Sequence, residues 1–518
     1  MLRCVRLSSF ITALLLGAML AGCGGGGGGG GESPPIPITS TPTAAPAPNP
    51  NVYAADTAVD WTSARYDPSG SGNNRLQTAV TEANVALLTP AWIFNGTVGS
   101  LSSVAILGGI VYRTEEGGNT YAIGEQTGSQ IWNYAPVSPE GFNASPLVAA
   151  GNVYFASTTG AFYVVSSGSG QYEFNYPPPA EWGPPIGGTE LRAHYRGAPV
   201  YENGTLYIGA SNHVEPINCV QGGQLMAFDP LSPTMRAIAT LTPNGTSGVG
   251  VWSSPVFDAS GDMFVATGNT CNVTNEPYGD SMLRVDPNSL SVIWSAPGPI
   301  DADDLDFGAT PVVVDDEVID GGKDGIVYAY NTSSGQLIWK ESPFPNGEVL
   351  GALATDGRYL VVPYAVSTDA QHGGIAVLDL HGNLVWSLVT GEDPAYNKGI
   401  LSAPAISQGM LFIGYTQPNC TSQCDGLGAF DLATGKRLWW YSTPSPIFGG
   451  IVVVQGGVFA NEVGNPTTYR FSPMSKADGL ARRSSMTYGT HFGGSAYFHD
   501  PWLTRTNFEG DNSGPLRP

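Results

Sequence analysis

Basic residues are scarce in this chain: 21 lysines and arginines face 43 aspartates and glutamates, a formal net charge of −22. An acidic surface of that kind disfavours nucleic acid and bare anionic membrane as partners. Cysteine is scarce too, with six in 518 residues. Cys420 and Cys424 enclose three residues, and no histidine follows them, so the Cys-x-x-Cys-His pattern of covalent haem is not met. Long apolar runs are missing as well. Phe10 to Leu20, behind Arg3 and Arg6, is too short to span a bilayer and has the form of a signal-peptide core. Nothing in the chain reads as a transmembrane helix.

What the chain has in quantity is turn and strand material: 69 glycines, 41 prolines and 10% aromatic residues, with only 12% charged. That profile suits many short strands joined by turns. The organising unit is plain between Gly325 and Trp339. Ile326, Tyr328 and Tyr330 alternate with smaller residues at the period of a half-buried strand. Ser334-Gly335 supplies a tight turn, and Leu337 and Trp339 open the returning strand. One such hairpin cannot bury its own face, so copies must stack.

Copies recur from Tyr121 to Trp132, Tyr163 to Phe174, Val285 to Trp294, Leu378 to Trp386 and Ala429 to Trp439, with a degenerate one opening at Ala227. Several are preceded by an Ala/Ser-Pro step and a second hairpin, as at Ser145-Pro146, Ala198-Pro199, Ser254-Pro255 and Ala403-Pro404. Trp294, Trp339, Trp386 and Trp439 recur at roughly 45 to 53 residues, the period of a four-stranded propeller blade. With a final partial copy around Val453 to Tyr469, the expectation is an all-β protein built as one eight-bladed β-propeller over 56–474, with an irregular tail at 475–518.

Residues 1–22 are expected to be a leader. Leu20-Ala21-Gly22-Cys23 resembles the bacterial lipoprotein processing box, which implies cleavage before Cys23, lipidation of its thiol, and an exported protein held to a membrane by lipid alone. Residues 23–55, rich in glycine, proline and threonine, form a tether with no apolar content to fold around. Loss of Arg3 and Arg6 with the leader makes the mature body more acidic still. Of the remaining thiols, Cys219, Cys271, Cys420 and Cys424 allow three pairings, of which Cys420–Cys424 with Cys219–Cys271 is the simplest.

Asp60-Trp61, Arg65-Tyr66-Asp67, Asn74-Arg75, Asn84-Val85 and the run from Leu88 to Trp92 together resemble the opening of pyrroloquinoline quinone (PQQ)-dependent alcohol dehydrogenases. Those are eight-bladed propellers of PQQ-type repeats, and the resemblance extends from Trp61 to Phe471. Ser211 to Glu215, the nearby Cys219 and the segment Asp306 to Ala309 are most similar to the polyvinyl alcohol dehydrogenase branch. What the resemblance implies is specific. Trp252, in Gly250-Val251-Trp252, matches the tryptophan that lies under the quinone. Asn269, in Ala266-Thr267-Gly268-Asn269, matches a calcium ligand. Asp306, in Asp303-Asp304-Leu305-Asp306-Phe307, matches the catalytic base, beside the metal. Lys323 matches the basic residue that hydrogen-bonds a quinone oxygen. Glu215 stands near the position of the family's calcium glutamate. The adjacent cysteines that cap the quinone in many members are absent.

The implied function is oxidation of an alcohol or polymeric alcohol by hydride transfer to non-covalent PQQ with calcium. Lacking a haem domain, such a protein passes electrons to an external acceptor such as a cytochrome c. The alternative is a non-catalytic lipoprotein propeller, similar to the repeat protein of the outer-membrane assembly machinery, that binds other proteins by its rim and loops. The two differ in one respect: a scaffold has no need of Trp252, Asn269, Asp306 and Lys323 converging at the axis.

Overall fold

The computed structural model of the chain describes residues 57–473, apart from 137–140, 143, 158–159, 177–194, 212–222, 243–247, 269–276, 300–304, 345–346, 366–372, 392–401, 418–419 and 421. The leader, Cys23, the tether and the tail lie outside the described residues. So do Glu215, Cys219, Asn269, Cys271, Asp303 and Asp304.

Among the described residues, thirty-two strands form eight sheets of four. Seven sheets are consecutive antiparallel meanders, here blades 1 to 7, over 105–134, 147–176, 200–240, 256–297, 312–341, 354–389 and 405–442. Each strand run follows the alternation seen in the sequence. In blade 5 the third strand, Val327–Asn331, is buried along most of its length, whereas the outermost, Leu337–Glu341, is largely exposed. The innermost strands of neighbouring blades pack together, which bends the row of sheets into a ring. Among the described residues no helix is long and apolar enough to cross a membrane.

The partial eighth copy is completed from the other end of the chain. Blade 8 takes three strands from 452–473, and its outermost strand is Leu88–Asn95, paired antiparallel with Thr467–Pro473. This exchange closes the ring by hydrogen bonds rather than by a covalent link. The sequence shows only half of it, because the two partners are each too short to carry a repeat signature.

A single contact joins most blades. The indole of a fourth-strand tryptophan donates to a backbone carbonyl of the next blade. The pairs are Trp92 to Glu125 (2.7 Å), Trp132 to Ser167 (3.0 Å), Trp294 to Thr332 (3.0 Å), Trp339 to Leu380 (3.0 Å), Trp386 to Leu432 (2.8 Å) and Trp439 to Leu88 (3.1 Å). For all but Trp439, the ring face meanwhile lies on the turn glycine of that blade. Gly435 has φ +70°, and a Cβ there would fall 2.6 Å from Trp386 Cδ2. The two junctions without a tryptophan use tyrosines: Tyr154 donates to Pro230 O at 2.8 Å, and Tyr207 donates to Pro287 O at 3.2 Å.

Residues 58–74 thread the pore at one end. Backbone bonds join them to the inner strands: Ile106 pairs with Trp61, Val148 N donates to Thr62 O, and Phe257 N to Pro68 O. Val313 N donates to Ser69 O, Thr355 N to Ser71 O and Ile406 N to Gly72 O, while Gln455 N reaches Ala58 O. The segment so touches seven of the eight blades. Arg65 sits at its centre, 5% exposed, donating to Pro404 O at 3.0 Å and also to Leu353 O. Burial pushes its guanidinium down to about 10, partly offset by Asp67, so it remains charged at neutral pH. The backbone contacts fall at the middle or the end of each inner strand, whereas Pro404 and Leu353 immediately precede theirs. The opposite end of the pore is where the functional residues gather.

Glu462, immediately after the strand Gly457–Asn461, is fully buried. Its Oε1 accepts from Ser445 N at 3.2 Å and Tyr469 OH at 3.3 Å, and burial pushes the carboxyl up to about 7 from its ordinary 4.5. A raised carboxyl favours the folded state below the unfolded value and loses that advantage as pH climbs towards 7.

Two outcomes are expected. Gly435→Ala and Gly409→Ala start from nearly the same backbone, φ +70° and +69°, but nothing lies within 4 Å of a Cβ at Gly409. Left-handed backbone alone costs about 1–2 kcal/mol, so urea midpoints should place Gly409→Ala in that range and Gly435→Ala about 1 kcal/mol or more beyond it. Glu462→Gln should flatten the fall in melting temperature between pH 5 and 8 and leave the variant the more stable protein at pH 8; calorimetry across that range checks it.

Candidate active site

At the end of the pore away from the threaded segment, the loops from the fourth strand to the next blade meet the turns between second and third strands. An antiparallel meander forces this, since the start of its first strand and the end of its second lie at the same end. Trp252 stands in the loop that leads to Val256–Phe257 of blade 4, and Gly268 closely follows Met263–Ala266 of the same blade. Asp306 leads to Val312–Val314 of blade 5, and Lys323 follows Glu317–Gly321.

The side chains converge. Lys323 Nζ lies 2.6 Å from Asp306 Oδ1, and Lys323 N donates to Asp306 O at 2.9 Å. Asp306 is fully buried and Lys323 is 5% exposed. Gly268 lies between the aspartate and the indole. A Cβ built there would fall 2.3 Å from Trp252 Nε1 and 2.6 Å from Asp306 Oδ2. Only glycine permits that approach, and its backbone is tied in place by Gly268 N to Gly250 O at 2.7 Å and Asp280 N to Gly268 O at 3.0 Å.

Blade 3 adds two groups. Ser211, next after the strand Thr205–Ala210, is 1% exposed, and its Oγ has no hydrogen-bond partner among the described residues. It packs on Gly250, whose Cβ position would be 2.8 Å from Ser211 Cβ and 3.1 Å from Trp252 Nε1. Arg196 Cζ lies 5.9 Å from the centroid of the Trp252 ring. Six groups from three successive blades thus line one end of the pore: an ion pair, an indole, a glycine cradle, a buried hydroxyl and a guanidinium.

Trp252, Asp306 and Lys323 are therefore brought together. Asn269 follows Gly268 in the chain but lies outside the described residues, as does Glu215; among the described residues no cluster of acidic, histidine or cysteine side chains forms a metal site. The arrangement fits a planar guest with a divalent ion. Gly268 lets the indole and the carboxylate approach where any side chain would clash, Ser211 offers a hydroxyl with no partner among the described residues, and the Asp306 carboxylate is a hard oxygen donor. Arg196 and Gly268 were not singled out by the sequence reading. A signal for Arg196 does exist: it stands two residues before Ala198-Pro199, as Trp252 stands two before Ser254-Pro255. On the same rim, Cys420 and Cys424 form a disulfide with Cα atoms 5.4 Å apart, the pairing expected for these two.

Comparison with known proteins bears on the family and the fold. The PQQ_2 family model, described as outer membrane protein assembly factor BamB, matches residues 55–232, 240–356 and 279–451. A polyvinylalcohol dehydrogenase of a Pseudomonas species is 22% identical over 458 residues, covering 77% of this chain and 69% of the relative. The crystal structure of quinohemoprotein alcohol dehydrogenase from Comamonas testosteroni superposes with a TM-score of 0.69 at 16% identity, over 86% of this chain and 84% of that one. BamB from Moraxella catarrhalis gives 0.53 at 13% identity, over 74% and 99%. At these identities the structural matches speak for the fold, and the eight-bladed architecture expected from the repeats is the one found. The resemblance to PQQ-dependent alcohol dehydrogenases holds in these relatives. Matched over most of its length, the chain belongs to the PQQ_2 family of propellers, described as outer membrane protein assembly factor BamB.

Proposed function

We propose that this chain is an exported, lipid-anchored quinoprotein that oxidises alcohols, polymeric alcohols among them, with PQQ and calcium. The observation that carries the reading is the buried Asp306–Lys323 pair beside Trp252 and the Gly268 cradle. Its relatives include a polyvinylalcohol dehydrogenase, which supports an alcohol as substrate.

Trp252 presents a flat apolar face on which a tricyclic aromatic can stack. Lys323 holds Asp306 by one carboxylate oxygen and leaves Oδ2 turned towards Gly268. A carboxylate in an ion pair is ionised and accepts a proton, so Asp306 takes the proton of the substrate hydroxyl. The same carboxylate, with Asn269 and Glu215, would hold calcium, and Lys323 would hydrogen-bond a quinone oxygen. PQQ, when bound, would supply a carbonyl able to accept the hydride, and calcium would supply Lewis-acid polarisation. Water and substrate would reach these groups from the rim that carries them. An external acceptor such as a cytochrome c would take the electrons.

The second reading is a non-catalytic lipoprotein scaffold, favoured by the description of the matching family model and by the BamB fold match. One experiment separates the two. The mature protein is supplied with PQQ and calcium, and dye reduction is followed with primary, secondary and polymeric alcohols. The enzyme reading expects stoichiometric quinone uptake and turnover, with Asp306→Asn lowering kcat about a hundredfold or more while still binding quinone. A folded wild type that takes up no quinone leaves the scaffold.

A further inference from the structure

In three blades the loop that opens the inner strand is pinned in the same way. Val251, Val349 and Ile447 are buried, each against a glycine in the second strand of the preceding blade. Those glycines are Gly209, Gly321 and Gly414, and a Cβ on any of them would clash with its partner. Val251 N also donates to Ala210 O at 3.2 Å, and Val349 N to Gly322 O at 3.1 Å. The residues that follow the three anchors are Trp252, Leu350 and Phe448. Leu350 is thus the counterpart of Trp252, two blades further round the ring.

Leu350 Cδ2 lies 2.8 Å from the Cβ position of Gly308, and Lys323 Cε lies 3.4 Å from that same point. The isobutyl group so stands beside the stem of Lys323, on the blade 6 side of the ion pair. Trp252 stands on the blade 4 side, across Gly268 from Asp306 Oδ2. Asp306 and Lys323 are buried, whereas Leu350 and Gly308 are only half-buried and form the open border of the pair. We infer that Leu350 is the specificity-determining residue of this site, the apolar wall that takes the aliphatic chain of the alcohol whose hydroxyl faces Asp306. The inference rests on the quinoprotein reading and narrows its substrate class. Methylenes laid on an isobutyl group leave water, whereas a hydroxyl laid there gives up hydrogen bonds that leucine cannot replace. Alcohols with methylenes beyond or between their hydroxyls are therefore preferred over a polyol with a hydroxyl on every carbon. Gly308 contributes by what it lacks, since a side chain there would meet Leu350 and narrow the same space.

The test follows dye reduction by the protein supplied with PQQ and calcium, over the linear primary alcohols from ethanol to hexanol and over glycerol. Wild-type kcat/KM should rise about two- to fourfold with each added methylene, and glycerol should fall well below propanol. Leu350→Ser should flatten that rise through KM, leaving kcat for every alcohol, and kcat/KM for ethanol, within about twofold of wild type. Leu350→Met, long and apolar, should restore most of the slope. Quinone uptake, followed separately by absorbance, should be equal in all three proteins and reports that the variants are folded. An unchanged chain-length slope in Leu350→Ser overturns the inference and leaves the quinoprotein reading standing. So does an equal loss for ethanol and hexanol, which makes Leu350 a support of the Lys323 turn. If wild type takes up no quinone, or reduces no dye with any alcohol, both readings fall.

Discussion

An indole laid on the turn glycine of the next blade, with its N–H on that blade's carbonyl, is the contact on which the ring depends. The N–H bond recurs at six of the eight junctions, including both sides of blade 8, where Trp439 reaches Leu88 and Trp92 reaches Glu125, and at five of the six the ring also lies on a glycine. The closing strand Leu88–Asn95 thus does two jobs. It completes a sheet with the strand Thr467–Pro473, and it supplies both an acceptor and a donor for the junctions on either side. Because each blade is braced by its neighbour rather than by its own core, a weakened junction threatens the circle and not one sheet.

The two junctions without a tryptophan are those entering and leaving blade 3, where Tyr154 and Tyr207 bond to Pro230 O and Pro287 O. Blade 3 is also the blade that gives Arg196 and Ser211 to the site. The repeat is most degenerate in the blade that gives two groups to the candidate site. That pattern is general: local rules are broken at functional sites and offset elsewhere.

Much of this was written in the sequence. The tryptophans and Thr/Ser-Gly turns announce the blades because the same packing problem is solved each time by the same residues. Trp252, Asp306 and Lys323 were visible through a resemblance that fixes their order and spacing. The completion of blade 8 was not, since Leu88–Asn95 and Thr467–Pro473 meet only after the whole ring has formed. Nor was the part played by Arg65, whose partners Pro404 O and Leu353 O are backbone atoms and leave no trace in residue type. Gly268 looked like one more turn glycine; only the indole and carboxylate on either side of it give it a second meaning.

Energetics also bear on whether this ring is an enzyme or a scaffold. Removing a lysine and an aspartate from water costs several kcal/mol per ion, and their attraction seldom repays it; an apolar pair of the same size is commonly as stable or more so. Arg65 escapes that objection, because its carbonyl contacts tie two blades to the threaded segment. The Asp306–Lys323 pair does not. It sits at the rim end of the pore, on loops, with one carboxylate oxygen beside Gly268 of blade 4. A protein-binding wheel would lose nothing by replacing it with leucine and methionine. A site that must take a proton from an alcohol beside a bound ring requires a charge there, held ready by its partner.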